Sequence, residues 1–415
     1  MPPPTRLLER AAFLLTCGSV VANPFSIAVS HGLLGLALAA LLLSGTPLRL
    51  PPVRIPLALF ILGTVISLAL SEDPAAGRPQ IRKFYVYLIL LAVFSVVRGM
   101  NRVRPLLVAT AGAAALSAVH SLFQFQQKLE RARELGRNFS EYYTPERITG
   151  FMSHWMTFGG QMMILLLVLA AFLMFSPGRA KGLWFWLLAA VLLGAALVLN
   201  MTRGIWLGAF AGGVYLVFRW KPRLVLAVPV LLAAGYFVAP ASLRERANSI
   251  FRPRGDLDSN QFRIITWRTG LEIVKAHPWF GIGPEHVKLH FNDYVPEDVP
   301  RPLPQGWYGH LHNIYLHYAA ERGIPAMLAL LWMLGKILCD FLRALRGMPA
   351  GPDDAKFALH AGVAVLIATL VTGMFELNLG DSEVLLLFLA VTGCGYAAAE
   401  QAARTGGATT PELSR

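Results

Sequence analysis

Apolar residues along this chain form long continuous runs, separated by short polar turns and by two longer polar segments. Continuous apolar runs are typical of helices that cross a membrane, whereas a transmembrane β-barrel alternates polar and apolar residues. We therefore predict an all-α polytopic membrane protein with about twelve membrane-spanning helices. The predicted spans lie near 11–28, 31–46, 56–70, 85–97, 105–122, 158–176, 184–201, 205–219, 224–239, 322–342, 357–375 and 384–399.

The composition favours a membrane protein and excludes a soluble enzyme with a single anchor. Hydrophobic residues make up 55% of the 415 residues and charged residues 15%, against roughly a quarter charged in soluble proteins. Most of the net charge of +13 lies in short loops beside the predicted spans, where membrane topology explains it, so no nucleic-acid partner is indicated. The three cysteines lie in apolar runs and form neither a metal motif nor a disulfide framework.

Lysine and arginine are concentrated in one set of loops, and this asymmetry predicts the orientation in the bilayer. The basic loops lie near 47–55, 98–104, 177–182, 219–223 and 343–356. Because such loops stay in the cytoplasm, we predict that both termini are cytoplasmic and that the long segments 123–157 and 240–312 lie outside. The external loop 71–84 contains Arg78, Arg82 and Lys83, which either weakens this orientation or marks an external anion site.

The chain then divides into four parts. Nine spans occupy 1–239, a large external loop occupies 240–312, re-entry and three more spans occupy 313–402, and a cytoplasmic tail follows at 403–415. Within the loop, the pattern of 260–276 predicts a helix that stops at His277 and Pro278, and a short helix is expected from Pro284. The charged stretch 123–150 is typical of an interfacial helix.

Two places outside the membrane carry arginines that could bind an anion. Arg203 lies in a short external turn, where topology disfavours a basic residue, although it could simply extend its side chain to the interface. Arg263 and Arg268 lie on the predicted loop helix with Trp267 between them. At 100° per residue the two arginines point about 140° apart, so only one would face a site. The other could lie on a solvated face or pair with Glu272.

A histidine cluster and a glycine motif complete the candidate chemistry. His310 and His312 precede Asn313 where the large loop returns to the membrane. A histidine there could act as a base near neutral pH or be a hydrogen-bonded structural residue. Gly281 and Gly283 allow a tight turn, but they open no nucleotide-binding unit, so they are a weak phosphate signal.

The large loop was also a candidate for zinc, because His286 and His290 lie four residues apart with two further histidines downstream. The loop contains no cysteine and no H-E-x-x-H motif, so we predict no metal and no cofactor. Phosphate charge would then be met by arginine. Walker motifs are also absent from the sequence, so ATP-driven transport is not expected.

In their order and spacing, these motifs resemble the signatures of the O-antigen ligase and polymerase family. The matching motifs are Thr202-Arg203-Gly204, Arg263-x-x-x-Trp267, Pro278-x-x-Gly281-x-Gly283, His312-Asn313 and Glu321-x-Gly323. The resemblance covers about 190–335 by motif and the rest by topology. Each motif is weak alone, but their combination around one large external loop is specific.

The resemblance implies a GT-C-like, metal-independent, inverting glycosyltransferase at the periplasmic face of the bacterial inner membrane. Family ligases transfer O-antigen polysaccharide from undecaprenyl pyrophosphate to lipid A–core in lipopolysaccharide biosynthesis. Family arginines bind the pyrophosphate and a histidine acts on the acceptor, which here implies Arg203, Arg263 or Arg268, and His312. Because the family motif often has leucine where this chain has Trp267, the choice between Arg263 and Arg268 stays open. The supporting residues would be Trp267, Gly281, Gly283, Asn313 and Glu321.

Three other functions are compatible with the sequence. A polymerase of the same family tends to have two substantial external loops with arginine motifs, whereas this chain has one dominant loop, which favours a ligase. A third type of member attaches glycan to pilin or another protein, and nothing in the sequence excludes it. A secondary transporter would show internal repeats and ionisable residues at mid-span, and few such residues are present. The sugars involved and the oligomeric state cannot be read from the sequence.

Overall fold

The computed structural model describes residues 4–249, 259–304 and 306–407, and in this part of the chain it is all-helical. Helices make up 77% of the structure, and the described residues contain no strand. The α-helices in chain order are α1 Pro4–Ala22, α2 Ile27–Leu43, α3 Arg54–Ala69, α4 Arg78–Arg82, α5 Phe84–Val96, α6 Met100–Glu134, α7 Phe139–Tyr143, α8 Trp155–Phe175, α9 Leu183–Leu199, α10 Arg203–Trp220, α11 Val228–Val238, α12 Ala241–Asn248, α13 Ser259–Ala276, α14 Val287–His290, α15 Ile314–Arg346, α16 Asp354–Gly373 and α17 Ser382–Gly407.

Each predicted apolar segment coincides with a helix, and several helices fit a multi-pass membrane protein. Among the described residues, six stretches are long and apolar enough to cross a membrane, and α2, α3, α9 and the segment Pro222–Val238 are apolar but shorter. The all-α class is thereby confirmed. The count of twelve spans, the GT-C-like architecture and the four-part division stay predictions. Helix α17 continues to Gly407, and residues 408–415 of the predicted tail lie outside the described residues.

Helix α6 corrects the expectation of a separate interfacial helix within 123–150. It runs through 35 residues without a break, because no proline or glycine follows Gly112 before the helix ends. At 1.5 Å per residue it is about 52 Å long, well beyond the roughly 30 Å of a hydrocarbon core. Its polar C-terminal end therefore projects beyond the apolar part of the bundle and leads the chain towards segment 144–154.

The large loop agrees with the prediction in one helix and departs from it in another. Helix α13 confirms the helix expected at 260–276. The short helix α14 begins at Val287, three residues after the expected Pro284. The helix starts later than predicted because of the backbone conformation. Gly283 and Glu285 have φ values of 109° and 67°, which a right-handed helix cannot contain.

A glycine face brings α10 against α16 and thereby sets the position of the first candidate arginine. Gly204, Gly208 and Gly212 repeat every four residues, a spacing that lets two helix backbones approach closely. A Cβ added to Gly208 would lie 2.7 Å from the carbonyl oxygen of Ala368 on α16. At the start of α10, a Cβ on Gly204 would lie 3.4 Å from Cγ of Glu376. The neighbouring Arg203 is therefore held at the same end of the bundle as Glu376.

We expect Gly208→Ala to destabilise the protein, because the new methyl group would collide with the Ala368 carbonyl and the Thr372 hydroxyl. Overpacking of this kind costs about 1–3 kcal/mol. Gly213→Ala is the matched control, since it lies on the same helix with nothing within 4 Å of its added Cβ. Thermal unfolding of both variants in detergent should show a lower midpoint for Gly208→Ala alone, and equal midpoints would contradict the close packing of α10 on α16.

Candidate functional site

A cavity of about 690 Å³ lies at one end of the helix bundle, where segments far apart in sequence meet. Its lining comes from 80–83, 147, 153–157, 202–205, 246, 262–263, 285, 304–321 and 376–383. These segments belong to the turns and loops that the charge pattern predicted to lie on the same side of the membrane. The structure therefore brings together the parts of the chain from which an external site would be built.

The cavity lining includes four arginines, Arg147, Arg203, Arg246 and Arg263. Arg203 is the first residue of α10 and is 5% exposed. Its guanidinium Nη1 donates to the carbonyl oxygen of Ser249 and, at 3.1 Å, to the hydroxyl of the same residue. The side chain is thus oriented by the segment that follows α12, and the four guanidinium groups share one region of the site.

Arg147 and Arg246 carry the clearest signs of this crowding of positive charge. Burial, which outweighs the nearby Glu376, lowers the pKa of Arg147 to about 10. Burial and then repulsion from Arg147, Arg203 and Arg263 lower the pKa of Arg246 to about 9. Both groups are still protonated at pH 7, because these values lie well above it. A bound anion would relieve the repulsion, so this part of the cavity is suited to a phosphate-like ligand.

Arg263, Glu376 and His312 form a connected trio at the edge of the arginine cluster. Arg263 Nη2 donates to Glu376 Oε1 at 2.6 Å, and His312 Nδ1 lies 3.6 Å from Glu376 Oε2. Glu376 is 2% exposed. Burial would raise the pKa of Glu376, but His312, Arg263 and Arg147 outweigh it, and the pKa lies below its usual range. The carboxylate is therefore ionised and faces a cation on one side and an imidazole on the other.

His312 is held in an uncommon backbone conformation, with φ at 48°. A non-glycine residue in the left-handed region costs about 1–3 kcal/mol, and it persists only where its surroundings impose it. The next residue supplies part of that constraint. Asn313 is the N-cap of α15, and its side chain accepts from the backbone N–H groups of Tyr315 and Leu316, each at 3.0 Å. The start of α15 thus fixes where the His312 imidazole points.

Two further histidines surround His312. The ring centroids of His310 and His312 are 4.0 Å apart, and His310 Nδ1 accepts from the backbone N–H of His312 at 3.3 Å. Burial, followed by the neighbouring His312 and His317, lowers the pKa of His310 to about 2. His310 is therefore neutral at physiological pH. His317 Nε2 lies 3.3 Å from Oε2 of the buried Glu321, which follows it by one helical turn in α15.

The remainder of the lining carries several carboxylates beside one lysine. These residues are Lys83, Glu285, Glu321, Asp381 and Glu383. Burial raises the pKa of Asp381 to about 6, although Thr157 Oγ1 donates to its Oδ2 at 2.9 Å. The cavity therefore combines an arginine-rich region, which suits an anion, with carboxylates and imidazoles, which can accept hydrogen bonds from hydroxyl groups.

The glycine motifs prove to be one structural unit that positions Glu321. Helix α15 is broken at Gly323, where φ is 82° and ψ is 161°. Segment 278–283 runs beside this break, with the Gly283 N–H donating to the Glu321 carbonyl at 3.0 Å and the Ile324 N–H donating to the Pro278 carbonyl at 2.8 Å. The hydrogen bonds of the broken helix are thus replaced by bonds to the loop.

Gly281 is required at the same contact because two backbones touch there. Its φ is 67°, and an added Cβ would lie 2.5 Å from both the carbonyl oxygen of Glu321 and the amide nitrogen of Arg322. Neither Gly281 nor Gly283 is among the residues that line the cavity. The motif therefore supports the site through packing, and its interpretation as a phosphate loop has no support in the geometry.

The cavity lining includes six residues singled out from the sequence, which are Lys83, Arg203, Arg263, His310, His312 and Glu321. Arg268 does not line the cavity, because it points to the opposite side of α13 and its Nη2 bonds Asp298 Oδ1 at 2.6 Å on the exposed surface. The expectation that the two arginines diverge is confirmed.

Two expectations about neighbours of these arginines are also answered. Of the alternatives left open for Arg268, the structure shows the exposed face, where Arg268 bonds Asp298 while Glu272 Oε1 accepts from Lys275 Nζ at 2.7 Å. Trp267 lies outside the cavity lining, and its ring centroid is 6.4 Å from that of Phe375, the residue before Glu376. It can support the site only through packing, and Asn313 does so as a helix cap.

Sequence reasoning missed Arg147, Arg246, His154 and Glu376, all of which line the cavity. Arg147 and Arg246 lie in polar stretches where a single arginine is ordinarily solvated. Glu376 is one of three acidic residues in the short turn 376–383, where exposure to solvent is the ordinary expectation. No local sequence pattern identifies these residues as site residues, because the side chains they meet in the cavity lie far away in the sequence.

A zinc site at the histidines of the large loop receives no support from the geometry. The rings of His286 and His290 lie 6.0 Å apart, and His286 accepts the backbone N–H of Asp73. In the described part of the chain, no group of three or more histidine, cysteine, aspartate or glutamate side chains is arranged to hold a metal. The absence of a metal from the reaction stays a prediction.

Comparison with known proteins agrees with the resemblance seen in the motifs. Residues 187–331 match the model of a family described as O-antigen ligase. The matched segment contains Arg203, Arg246, Arg263, His312 and Glu321, whereas Arg147 and Glu376 lie outside it. A search of curated proteins found no match. The match covers about a third of the chain, and over this segment the chain is similar to the O-antigen ligase family.

Proposed function

We propose that this chain is an O-antigen ligase, a glycosyltransferase that moves a polysaccharide from undecaprenyl pyrophosphate to the lipid A–core. The observation that carries the proposal is the junction of four arginines with the Glu376–His312 pair in one cavity at the end of an apolar helix bundle. A lipid-linked donor would lie with its chain in the bilayer, its pyrophosphate among the arginines and its sugar in the cavity.

The arginines would supply most of the stabilisation of the leaving group. As the bond from the sugar C1 to the pyrophosphate oxygen breaks, negative charge grows on that oxygen. Arg203 and Arg263 can meet this charge with planar, bidentate guanidinium groups, and Arg147 and Arg246 add positive potential. Arg263 Nε and Arg147 Nε are buried and have no hydrogen-bond partner among the described residues.

His312 would act as the base for the acceptor. Its Nδ1 faces Glu376, which leaves Nε2 to take the proton of the acceptor hydroxyl as that oxygen attacks C1 from the face opposite the pyrophosphate. The new bond joins the acceptor oxygen to C1, the old bond to pyrophosphate breaks, and the anomeric configuration inverts. Undecaprenyl pyrophosphate leaves, and the proton stays on His312, beside the carboxylate of Glu376.

The proposed location is the bacterial inner membrane, with the cavity facing the periplasm and both termini in the cytoplasm. The positive loops predicted to be cytoplasmic support this orientation. At the end of the bundle away from the cavity, Arg104 Nη1 pairs with Asp354 Oδ2 at 2.8 Å and Arg49 pairs with Glu400. The partners would be the lipid-linked donor, the lipid A–core acceptor and the bilayer itself.

Transfer should not require a divalent metal, since the arginines already neutralise the pyrophosphate. We expect purified protein with lipid-linked donor and lipid A–core to retain its rate after treatment with EDTA, within about twofold. The measurement is product formation with EDTA, and again after adding Mg²⁺ or Mn²⁺. Activity lost with EDTA and restored by either ion would overturn the arginine-only scheme.

A polymerase of the same family is the second candidate, and one observation favours it. Arg147 belongs to the segment 123–157 and lines the same cavity as the arginines of the large loop. Two arginine-bearing external segments are what the resemblance leads us to expect of a polymerase. The two reactions share a donor and differ in acceptor, so lipopolysaccharide from a strain lacking the chain distinguishes them. A related reaction on a protein acceptor would leave that lipopolysaccharide unchanged.

A further inference from the structure

The carboxylate of Glu376 is shared between the residue proposed to bind the donor and the residue proposed to be the base. One oxygen, Oε1, accepts from Arg263 Nη2 at 2.6 Å. The other, Oε2, lies 3.6 Å from His312 Nδ1, slightly beyond hydrogen-bond distance, and has no hydrogen-bond partner among the described residues. The carboxylate is thus tightly bonded to the arginine and loosely associated with the imidazole.

The location of Glu376 suits a small movement between these partners. It lies in the turn after α16, where its backbone N–H donates to the Thr372 carbonyl at 3.0 Å, so the main chain is anchored. Its side chain is 3% exposed, and that of His312 is 11% exposed. If Glu376 Oε2 moves a few tenths of an ångström towards His312 Nδ1, the 3.6 Å contact becomes a hydrogen bond.

The charges around the trio favour such an exchange when an anion is present. The titratable groups that interact with Glu376 or His312 are Arg147, Arg246, Arg263, His154, His310 and Asp381, and His317 lies beside His310. Without a donor, Glu376 is the acidic group hydrogen-bonded to Arg263. A pyrophosphate carries more negative charge than one carboxylate and offers more acceptor oxygens, so it competes for the same guanidinium.

We propose that the donor's pyrophosphate displaces Glu376 from Arg263, and that the released carboxylate then hydrogen-bonds His312 Nδ1 and makes His312 the stronger base. Glu376 is a positioning residue, because it touches neither the sugar nor the pyrophosphate. This inference rests on the proposed function and adds an order of events to it. The base becomes effective only when the donor is in place, and Glu376 stays ionised while the acceptor proton moves to His312 Nε2.

The binding test measures the affinity of inorganic pyrophosphate for the full-length protein in detergent by isothermal titration calorimetry. Because Glu376 competes with the anion for Arg263, Glu376→Gln should bind pyrophosphate about tenfold more tightly than wild type. Glu272→Gln is the matched control, since it removes the same charge from the exposed side of α13, and its affinity should be unchanged. Glu376→Asp keeps the charge but shortens the side chain and weakens its bond to Arg263, so its affinity should also rise, by less than that of Glu376→Gln.

If the Glu376 carboxylate merely holds Arg263 in place, the change in pyrophosphate affinity should have the opposite sign. In that case Glu376→Gln would bind pyrophosphate more weakly, because Arg263 would lose its orientation. Weaker or unchanged affinity in a variant that melts like wild type therefore overturns the exchange. If Glu376→Gln does not fold, the Asp variant decides, because a clear loss of affinity with the charge retained would also overturn it. No binding by any form would contradict the exchange and the anion site together.

The kinetic test separates the two roles in transfer. Glu376→Gln should lower kcat by about a hundredfold while the KM for the lipid-linked donor falls or stays constant. The acidic limb of the kcat–pH profile should move to lower pH, since an imidazole without its neighbouring carboxylate binds a proton less tightly. An unchanged profile or a raised KM overturns the proposal. If wild type transfers nothing, the proposed function fails, and the pyrophosphate titration still decides whether Glu376 competes for Arg263.

Discussion

Replacing His312 with alanine should abolish glycan transfer while leaving the protein folded and able to bind its lipid donor. Removal of a general base lowers a rate by about 10²–10⁴-fold, and His312 is the residue of the large loop whose imidazole lies against the buried Glu376. The measurement is the rate of transfer by purified His312→Ala, together with its affinity for the undecaprenyl-linked donor.

The control for this variant is His290→Ala, because it makes the same change in the same loop. His290 does not line the cavity and instead contacts Asp293, with Nδ1 3.1 Å from the carboxylate oxygen. Its rate should stay within about twofold of wild type, as expected for a change on the surface. A near-normal rate in purified His312→Ala would remove this histidine from the chemistry.

Substituting Arg263 should cost far more than substituting Arg268, although both arginines lie on α13 and are only five residues apart. Arg263 lines the cavity and is bonded to the buried Glu376, whereas Arg268 bonds the exposed Asp298. We expect Arg263→Ala to lower kcat/KM for the donor by about 10²–10³-fold, the usual cost of losing one group that stabilises developing negative charge. Arg268→Ala should stay within about twofold of wild type.

Because Arg263→Ala leaves the Glu376 carboxylate buried without its partner, loss of folding has to be separated from loss of function. Arg263→Lys keeps the positive charge but lacks the planar fork that binds two phosphate oxygens at once. It should fold like wild type and show a donor KM raised by about 10- to 100-fold, while Arg268→Lys should not differ from wild type. Equal effects at the two positions would contradict the assignment of the anion site to the cavity side of α13.

Local features of the sequence were sufficient to predict the helices and the direction of the arginines on α13. The periodicity of 260–276 and the proline after it define that helix, and a rotation of 100° per residue separates Arg263 from Arg268. Such features depend only on neighbours in the chain. The helix cap at Asn313 was not predicted, although its residue type and its position before an apolar run are typical of an N-cap.

The completed site could not be predicted in this way, because its members meet only in the folded chain. Arg263 and Glu376 are 113 residues apart, and Arg147 bonds Thr202 across 55 residues. A lone acidic residue in a turn, or an arginine in a polar stretch, carries no local sign of such a partner. Pairing across the chain requires knowing which helix ends are adjacent.

The packing of the two glycine motifs could not be predicted from the local sequence either. Gly281 and Gly323 each resemble an ordinary turn residue in the sequence, and only their approach in space explains both. An added Cβ on Gly323 would meet the carbonyl of Trp279 and lie 2.7 Å from the Phe280 nitrogen. These two glycines allow loop segment 278–283 to replace helical hydrogen bonds at the break in α15. The arrangement holds Glu321 at the cavity wall.

The transfer of polysaccharide to lipid A–core is tested most directly by a lipopolysaccharide ladder gel from a strain that lacks this chain. The strain is complemented with wild type or with His312→Ala expressed at the same level. A ligase predicts core without O-antigen, polymer retained on undecaprenyl pyrophosphate, and a ladder restored by wild type alone. Core capped by a single repeat would identify a polymerase, and an unchanged ladder after loss of the chain would contradict both activities.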